Sequence, residues 1–394
     1  MKEYAQIRTI LVDIRKVAEA MKMRSIGTED VQNVQAISEE INTILYHTQK
    51  LRFQADYNIE KEEDYYNYAG EIAALADIWE QSLQRRQGNA VDIEFWEIYE
   101  FFKYAQIDDI YRTVVQHFMN LPEGLRIEYL ALQHRYSFLK NRIDFTESDF
   151  SLIAEHVELM VNSIEKYRWL YEHLSDYRSK DILNGIIRYW FDFDINKLHS
   201  LCETVFPDYY DLDILQCGKD DVMVDLGAFT GDSTEEYIHT YGEYKRIYAY
   251  EITPSTFEAM QGRLAGYDNI VLKQKGVGSE AGTMYVNNGG NCAGNKLLSE
   301  GDTSVDVVTL DADIDEEISV IKMDIEGAEK DAIIGTECHI RNEKPRLLIS
   351  AYHIPGDIFD IPQLINDIRD DYKFYLRFNG HGCLWPCDYV LFAV

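Results

Sequence analysis

Long apolar runs are missing from this chain. No stretch is both long enough and apolar enough to span a bilayer. The opening residues, MKEYAQIRTILVDIRKVAEAMKMR, carry charges throughout and lack the apolar core and small-residue cleavage site of a signal peptide. A cytoplasmic protein without a membrane span is the expectation. Cysteine is sparse as well: Cys202, Cys217, Cys292, Cys338, Cys383 and Cys387 are scattered and form no compact disulfide framework. Cys383 and Cys387 flank Leu-Trp-Pro, but zinc sites usually present two close pairs, so no metal site is assigned there. Basic residues are also few, with 38 Lys and Arg against 69 Asp and Glu and a net charge of −31. That field repels nucleic acid and anionic membranes at long range, so neither is expected as a partner.

What is present is a foldable chain of 394 residues with 46% hydrophobic content, long enough for two domains. Residues 1–205 read as an all-α domain. The segments EEINTILYHTQKLRF, YAGEIAALADIWEQSLQR, EFWEIYEFFKYAQ and DFSLIAEHVELMVNSIEKYRWLYEHL place apolar residues three and four apart. Over residues 206–394 the period changes. DVMVDLGAF, RIYAYEI, NIVLKQKGVG, SVIKMDI and PRLLISAYH are short strand-like runs, several separated by helical patterns, which predicts an α/β fold with a mainly parallel sheet. Residues 283–317 read as irregular with short added strands. KFYLRFN and CDYVLFAV lie close together at the end and predict an antiparallel hairpin. This is the pattern of a Rossmann-like class I fold of methyltransferases that use S-adenosylmethionine (SAM).

The stretch VMVDLGAFTGDST, residues 222–234, reads as a buried strand, a tight turn and a helix start. Its spacing is Asp225, Gly227, Gly231 rather than the three glycines of a dinucleotide site. Glycines let backbone approach a ligand closely, and free amides at a helix start can face its polar atoms. The cradle is therefore assigned to Asp225, Gly227, Ala228, Phe229, Gly231, Asp232 and Ser233, with Asp225 suited to a ligand ammonium such as that of SAM. Glu251, followed by Ile252 at the end of the second strand, can accept both hydroxyls of a ribose. In SVIKMDIEGAEKDAI, Lys322, Asp324, Glu326 and Glu329 crowd a strand-to-helix junction. Asp324 and Glu326 fall where the strand opens into the cleft, and Glu329 reads as a helix-start charge.

VMVDLGAFTGDST, YAYEITPSTF, VVTLDADI, IKMDIEGAEKDAI, YHIPGDIFDIPQLI and YKFYLRF together resemble the FkbM family of SAM-dependent methyltransferases, over roughly residues 218–394. The segment LSDYRSKDIL, residues 174–183, is similar to one preceding the catalytic domain in some members. Phe229 and the run Gly276-Val277-Gly278 depart from the commoner family pattern. The resemblance implies O-methylation, commonly of a sugar or other hydroxyl in glycan or natural-product assembly, with SAM as cofactor and a small-molecule or glycan acceptor.

O-methylation needs a base for the hydroxyl proton. His353 follows the strand PRLLISAY at the same sheet edge as Asp324, and an unperturbed imidazole suits neutral pH. His353, Asp324 and Glu326 are the expected catalytic residues, with Asp324 also placed against the cofactor. Two alternatives stay open: Mg²⁺ bound by Asp324, Glu326 or His353, and a non-catalytic SAM-binding scaffold. The helical domain is expected to bind acceptor, dimerise or dock a partner.

Overall fold

The computed structural model describes residues 89–127, 151–286, 297–380 and 386–394. The helical segments expected at EEINTILYHTQKLRF and YAGEIAALADIWEQSLQR, together with Cys292 and Cys383, lie outside them. The chain divides into two compact units after Gln106. In the first, helix α1 (Ala90–Tyr104) begins at Asn89, whose side chain accepts the Asp92 amide, and it buries Phe95, Tyr99 and Phe102 on one face. The second unit, Ile107–Val394, carries everything that follows.

Helix α2 (Ile107–Asn120) buries Ile110, Val114 and Phe118, spaced four apart as an amphipathic stripe requires. Helices α3 (Ser151–His173), α4 (Tyr177–Asp192) and α5 (Ile195–Ser200) follow. Asp176 caps α4 by accepting the Ser179 amide, and the chain leaves α4 through Phe193 in the left-handed conformation. Among the described residues no helix is long and apolar enough to cross a membrane.

Among the described residues the main sheet has seven strands. In chain order these are β1 (Val222–Leu226), β2 (Arg246–Tyr250), β3 (Ile270–Lys273), β7 (Val320–Met323), β8 (Arg346–Ser350), β9 (Phe374–Phe378) and β10 (Tyr389–Ala393). Their spatial order is β3-β2-β1-β7-β8-β10-β9. The pairs from β3 to β8 are all parallel, while β10 runs antiparallel to both β8 and β9. This is the mainly parallel sheet closed by an antiparallel C-terminal hairpin that the sequence predicted. Every residue of β1 and β7 is buried, because a parallel sheet is covered on both faces.

The run NIVLKQKGVG divides between two sheets. After β3 the chain leaves the main sheet, and β4 (Gly276–Val277) joins β5 (Gly282–Val286) and β6 (Thr303–Val308) in a small one ordered β4-β6-β5. Helices α6 (Asp232–Tyr241), α7 (Pro254–Leu264), α8 (Leu310–Asp313), α9 (Glu329–Ile334), α10 (Glu337–Glu343) and α11 (Asp357–Ile368) are the other helices described in this part of the unit. Pro254 opens α7 at its first turn, where a missing amide hydrogen costs nothing.

From β1 the chain proceeds outward to β2 and β3, and later strands build the other way from β7. The order therefore switches direction between β1 and β7, and the crevice outside that point is where open α/β sheets bind ligands.

Candidate functional site

The loop leaving β1 is built by close backbone packing. Gly227 has φ +76°, and a Cβ there would lie 1.9 Å from the Asp324 carbonyl oxygen at the end of β7. The amides of Gly227 and Ala228 donate to the Tyr250 carbonyl at 3.1 and 2.9 Å, tying the loop to β2. The glycine expected to admit a ligand is thus required first by the neighbouring strand end. Gly231, at φ +82°, starts α6 against Met260 and Leu264, and Ala228 is buried with the same two side chains.

Asp225 differs from expectation. It is fully buried beneath the loop, where Ser233 Oγ and Thr234 Oγ1 both donate to its Oδ2 at 2.7 Å. Lys322 Nζ lies 3.1 Å from Oδ1 and donates to the Gly227 carbonyl at 2.8 Å. Asp225 is thus hydrogen-bonded through Oδ2, ion-paired through Oδ1 and not part of the cleft wall. It pins the start of α6 and neutralises Lys322, rather than offering a carboxylate to a ligand ammonium. Burial opposes the charge on Lys322, but the carboxylates of Asp225 and Asp324 outweigh it and hold the pKa above the usual lysine value.

One cleft gathers most of the remaining predicted residues. Gly227, Phe229, Asp232, Ser233, Glu251, Ile252, Asp324 and Glu326 line it, together with Tyr209, Tyr250, Lys275 and Lys322. Glu251 accepts the Phe229 amide at 3.0 Å through Oε2 and the Thr253 amide at 2.7 Å through Oε1. Each oxygen keeps a further lone pair, so the carboxylate is held in place and can still accept a hydroxyl.

Across the cleft, the turn between β7 and α9 brings carboxylates together. Glu326 (φ +57°) and Gly327 (φ +99°) make the turn, and Asp324 and Glu326 are half-buried at its mouth. Glu329 is fully buried and accepts both the Ile325 amide at 3.0 Å and His353 Nδ1 at 2.9 Å. On the opposite side of the ring, His353 Nε2 lies 3.4 Å from Asp324 Oδ1 and 3.8 Å from Glu326 Oε2. Burial disfavours the charged imidazole, but the Glu329 hydrogen bond and charge, joined by Asp324 and Glu326, push its pKa up to about 9. His353 therefore holds a proton at neutral pH, contrary to the unperturbed imidazole expected from sequence. It is buried behind the carboxylates and is not part of the cleft wall.

Asp324 shows the reverse balance. Burial works against its charge, yet Lys322, His353 and the hydroxyls of Tyr209 and Ser350 keep its carboxyl below the ordinary range. Its Oδ2 accepts from Tyr209 at 3.0 Å, while Oδ1 is buried without a hydrogen-bond partner.

Three participants escaped sequence reasoning. Lys322 carried a readable signal, as a lysine inside the apolar run SVIKMDI, yet it was not assigned to the site. Glu329 passed for an ordinary helix-start charge. Tyr209 belongs to the segment before β1, where no spacing relates it to the motifs.

Residues 225–376 match the family model of the methyltransferase FkbM domain. No curated protein matches the chain. Among solved structures, a methyltransferase FkbM from Methylobacillus flagellatus KT is 24% identical, covering 61% of this chain and 62% of its own, with a TM-score of 0.51. An rRNA methylase from Streptococcus thermophilus is 15% identical over 45% of this chain and 87% of its own, with a TM-score of 0.31. A fibrillarin from Aeropyrum pernix, crystallised with natively bound SAM, is 11% identical over 50% and 72%, also at 0.31. The chain thus spans about 62% of the length of the FkbM structure it matches, and that likeness is one of fold. The family resemblance read from the motifs stands over residues 225–376, and with it a methyltransferase domain.

Proposed function

We propose that this chain is a SAM-dependent O-methyltransferase acting on a hydroxyl of a sugar, glycan or natural-product intermediate. The observation that carries the reading is the acidic lining at the switch point, where Glu251 at the tip of β2 and Asp324 at the tip of β7 border one cleft beside Gly227. The Asp324 carboxylate, kept below the ordinary carboxyl range at the cleft wall, suits a cationic ligand, and a strand-tip Glu251 fits a diol. When bound, SAM would supply an electrophilic methyl group.

The residues of the chain then divide the work. Glu251 accepts ribose hydroxyls, and Phe229 and Ile252 offer apolar surface. Asp232 and Ser233 contribute the first turn of α6, while Asp324 pairs with positive charge. Asp225, Gly227, Ala228 and Gly231 hold the cradle in shape. Because His353 is already protonated at neutral pH, proton acceptance from the acceptor falls to Asp324 or Glu326, and His353 keeps both carboxylates in place. The helical segment 1–205 is assigned acceptor binding, dimerisation or partner docking, within a cytoplasmic enzyme.

A second reading rests on the convergence of Asp324, Glu329 and His353, whose ligand atoms lie within 4.8 Å of one another. Carboxylates and one imidazole suit a divalent cation such as Mg²⁺ or Mn²⁺, which would orient the acceptor oxygen. The deciding experiment is an acceptor screen with nucleotide sugars and glycans, read by mass spectrometry for addition of one methyl group, with and without EDTA. A methylated hydroxyl formed in EDTA supports the metal-free O-methyltransferase, and loss of product restored by Mg²⁺ supports the second reading. SAM binding without a methylated product in any arm supports a scaffold instead.

A further inference from the structure

Tyr209 reaches the cleft from outside the segment that matches the family model. It precedes β1 and has φ +69°, a conformation that an aromatic residue adopts only when its surroundings hold it there. Those surroundings are visible on either side of it. Upstream, Glu203 donates its amide to the Phe378 carbonyl at 2.6 Å, and its Oε1 accepts the amides of Thr204 and Val205. Downstream, Tyr210 donates to the Ser233 carbonyl at 2.7 Å, and Asp211 accepts from the buried Arg377 at 2.6 Å. Residues 203–211 thus form a strap fastened to β9 and to the first turn of α6.

What the strap delivers is a phenol between two charges. The Tyr209 hydroxyl bonds Asp324 Oδ2 at 3.0 Å and Ser350 Oγ at 2.9 Å, and Lys322 Nζ lies 5.2 Å from the ring centroid. Burial and the Asp324 charge raise the phenol's pKa well above the usual tyrosine value, so it remains a donor. With Oδ2 occupied by Tyr209, Asp324 keeps Oδ1 toward His353 Nε2.

We propose that Tyr209 is a positioning residue of the cofactor site, setting the aim of the Asp324 carboxylate through its hydroxyl bond. This rests on the SAM reading of the cleft. The chemistry recognised is the positive charge of a sulfonium-bearing amino acid cofactor, and Tyr209 acts on it through Asp324.

The test is SAM titration by calorimetry on the full chain and on Tyr209→Phe, Asp324→Asn and the double variant. Tyr209→Phe keeps the ring and removes only the hydroxyl. It should weaken SAM by about 10-fold or more, the scale of a hydrogen bond to a charged group, with an unfolding midpoint close to that of the unaltered chain. In the Asp324→Asn background the same change should have almost no further effect, since the carboxylate through which it acts is gone. A purely structural role would instead weaken both backgrounds equally, which overturns the proposal. Ser350→Ala removes the other hydroxyl bonded to Tyr209 together with a direct contact to Asp324, so if Tyr209→Phe fails to fold it is read in both backgrounds: a several-fold loss that vanishes in Asp324→Asn supports the proposal, and equal losses overturn it. Absence of SAM binding to the unaltered chain would remove the SAM reading and this inference together. Binding by the unaltered chain, matched by Tyr209→Phe, would remove only this inference.

Discussion

His353 Nδ1 lies 2.9 Å from Glu329 Oε1, with both side chains buried, and the Nε2 edge of the ring faces Asp324 and Glu326. An imidazole among three carboxylates is a proton trap. Its pKa of about 9 in the folded protein compares with an unperturbed 6.5. The folded state therefore binds the proton more tightly than the unfolded one. The associated stability is fully present below about pH 6.5 and is lost as pH rises through 9. Its size is on the order of 3 kcal/mol at about 1.4 kcal/mol per pKa unit. Urea unfolding in EDTA at about pH 6 and about pH 9.5 should reveal that decline, and His353→Gln should lack it. Equal slopes in the two proteins would mean that another group titrates.

Turnover gives an independent reading of the same residue. With Asp324 or Glu326 as proton acceptor, the rate should not climb in step with His353 deprotonation between about pH 7 and 9. A tenfold rise per pH unit over that range, absent in His353→Gln, would return the base role to His353.

Lys322 and Asp225 form a fully buried ion pair beneath the cradle. Lys322→Met leaves the Asp225 carboxylate uncompensated and should cost about 3 to 5 kcal/mol of stability. Adding Asp225→Asn removes the stranded charge, so the double variant should lose less than the sum of the two single changes. Additive losses in denaturant titrations would show that the pair is not energetically coupled.

Gly227→Ala should destabilise by roughly 2 to 5 kcal/mol, because the new Cβ meets the Asp324 carbonyl oxygen at 1.9 Å and φ is +76°. Gly262 offers the contrast: it lies within α7, and a Cβ there would meet nothing within 4 Å. Gly262→Ala should stabilise by about 0.5 to 1 kcal/mol. Opposite shifts in unfolding midpoint are the expected outcome, and a tolerated Gly227→Ala would contradict the close packing of β1 against β7.

The main sheet was legible because its strands are short apolar runs cut by turns, and the period of apolar residues changes where the helices give way to it. Legible too were the tips of β1, β2 and β7, since Gly227, Glu251 and Asp324 stand where apolar runs end. Partnership was not. Asp225 reads as a ligand contact in sequence, yet Lys322 from a strand far along the chain claims it. His353 reads as an ordinary imidazole, because its three carboxylates come from a turn and helix that precede it in sequence. Tyr209 left no trace, since its place depends on a strap held by Arg377 and Ser233, both far from it in the chain.

The account stands most directly on one titration of SAM into the purified 394-residue chain by calorimetry, repeated with Glu251→Ala. One SAM per chain is expected, with the variant weaker by about 1.5 to 3 kcal/mol because a charged acceptor of the ribose hydroxyls is lost. No binding to the unaltered chain, or equal affinity in the variant, would contradict a cofactor cleft bordered by Glu251 and Asp324.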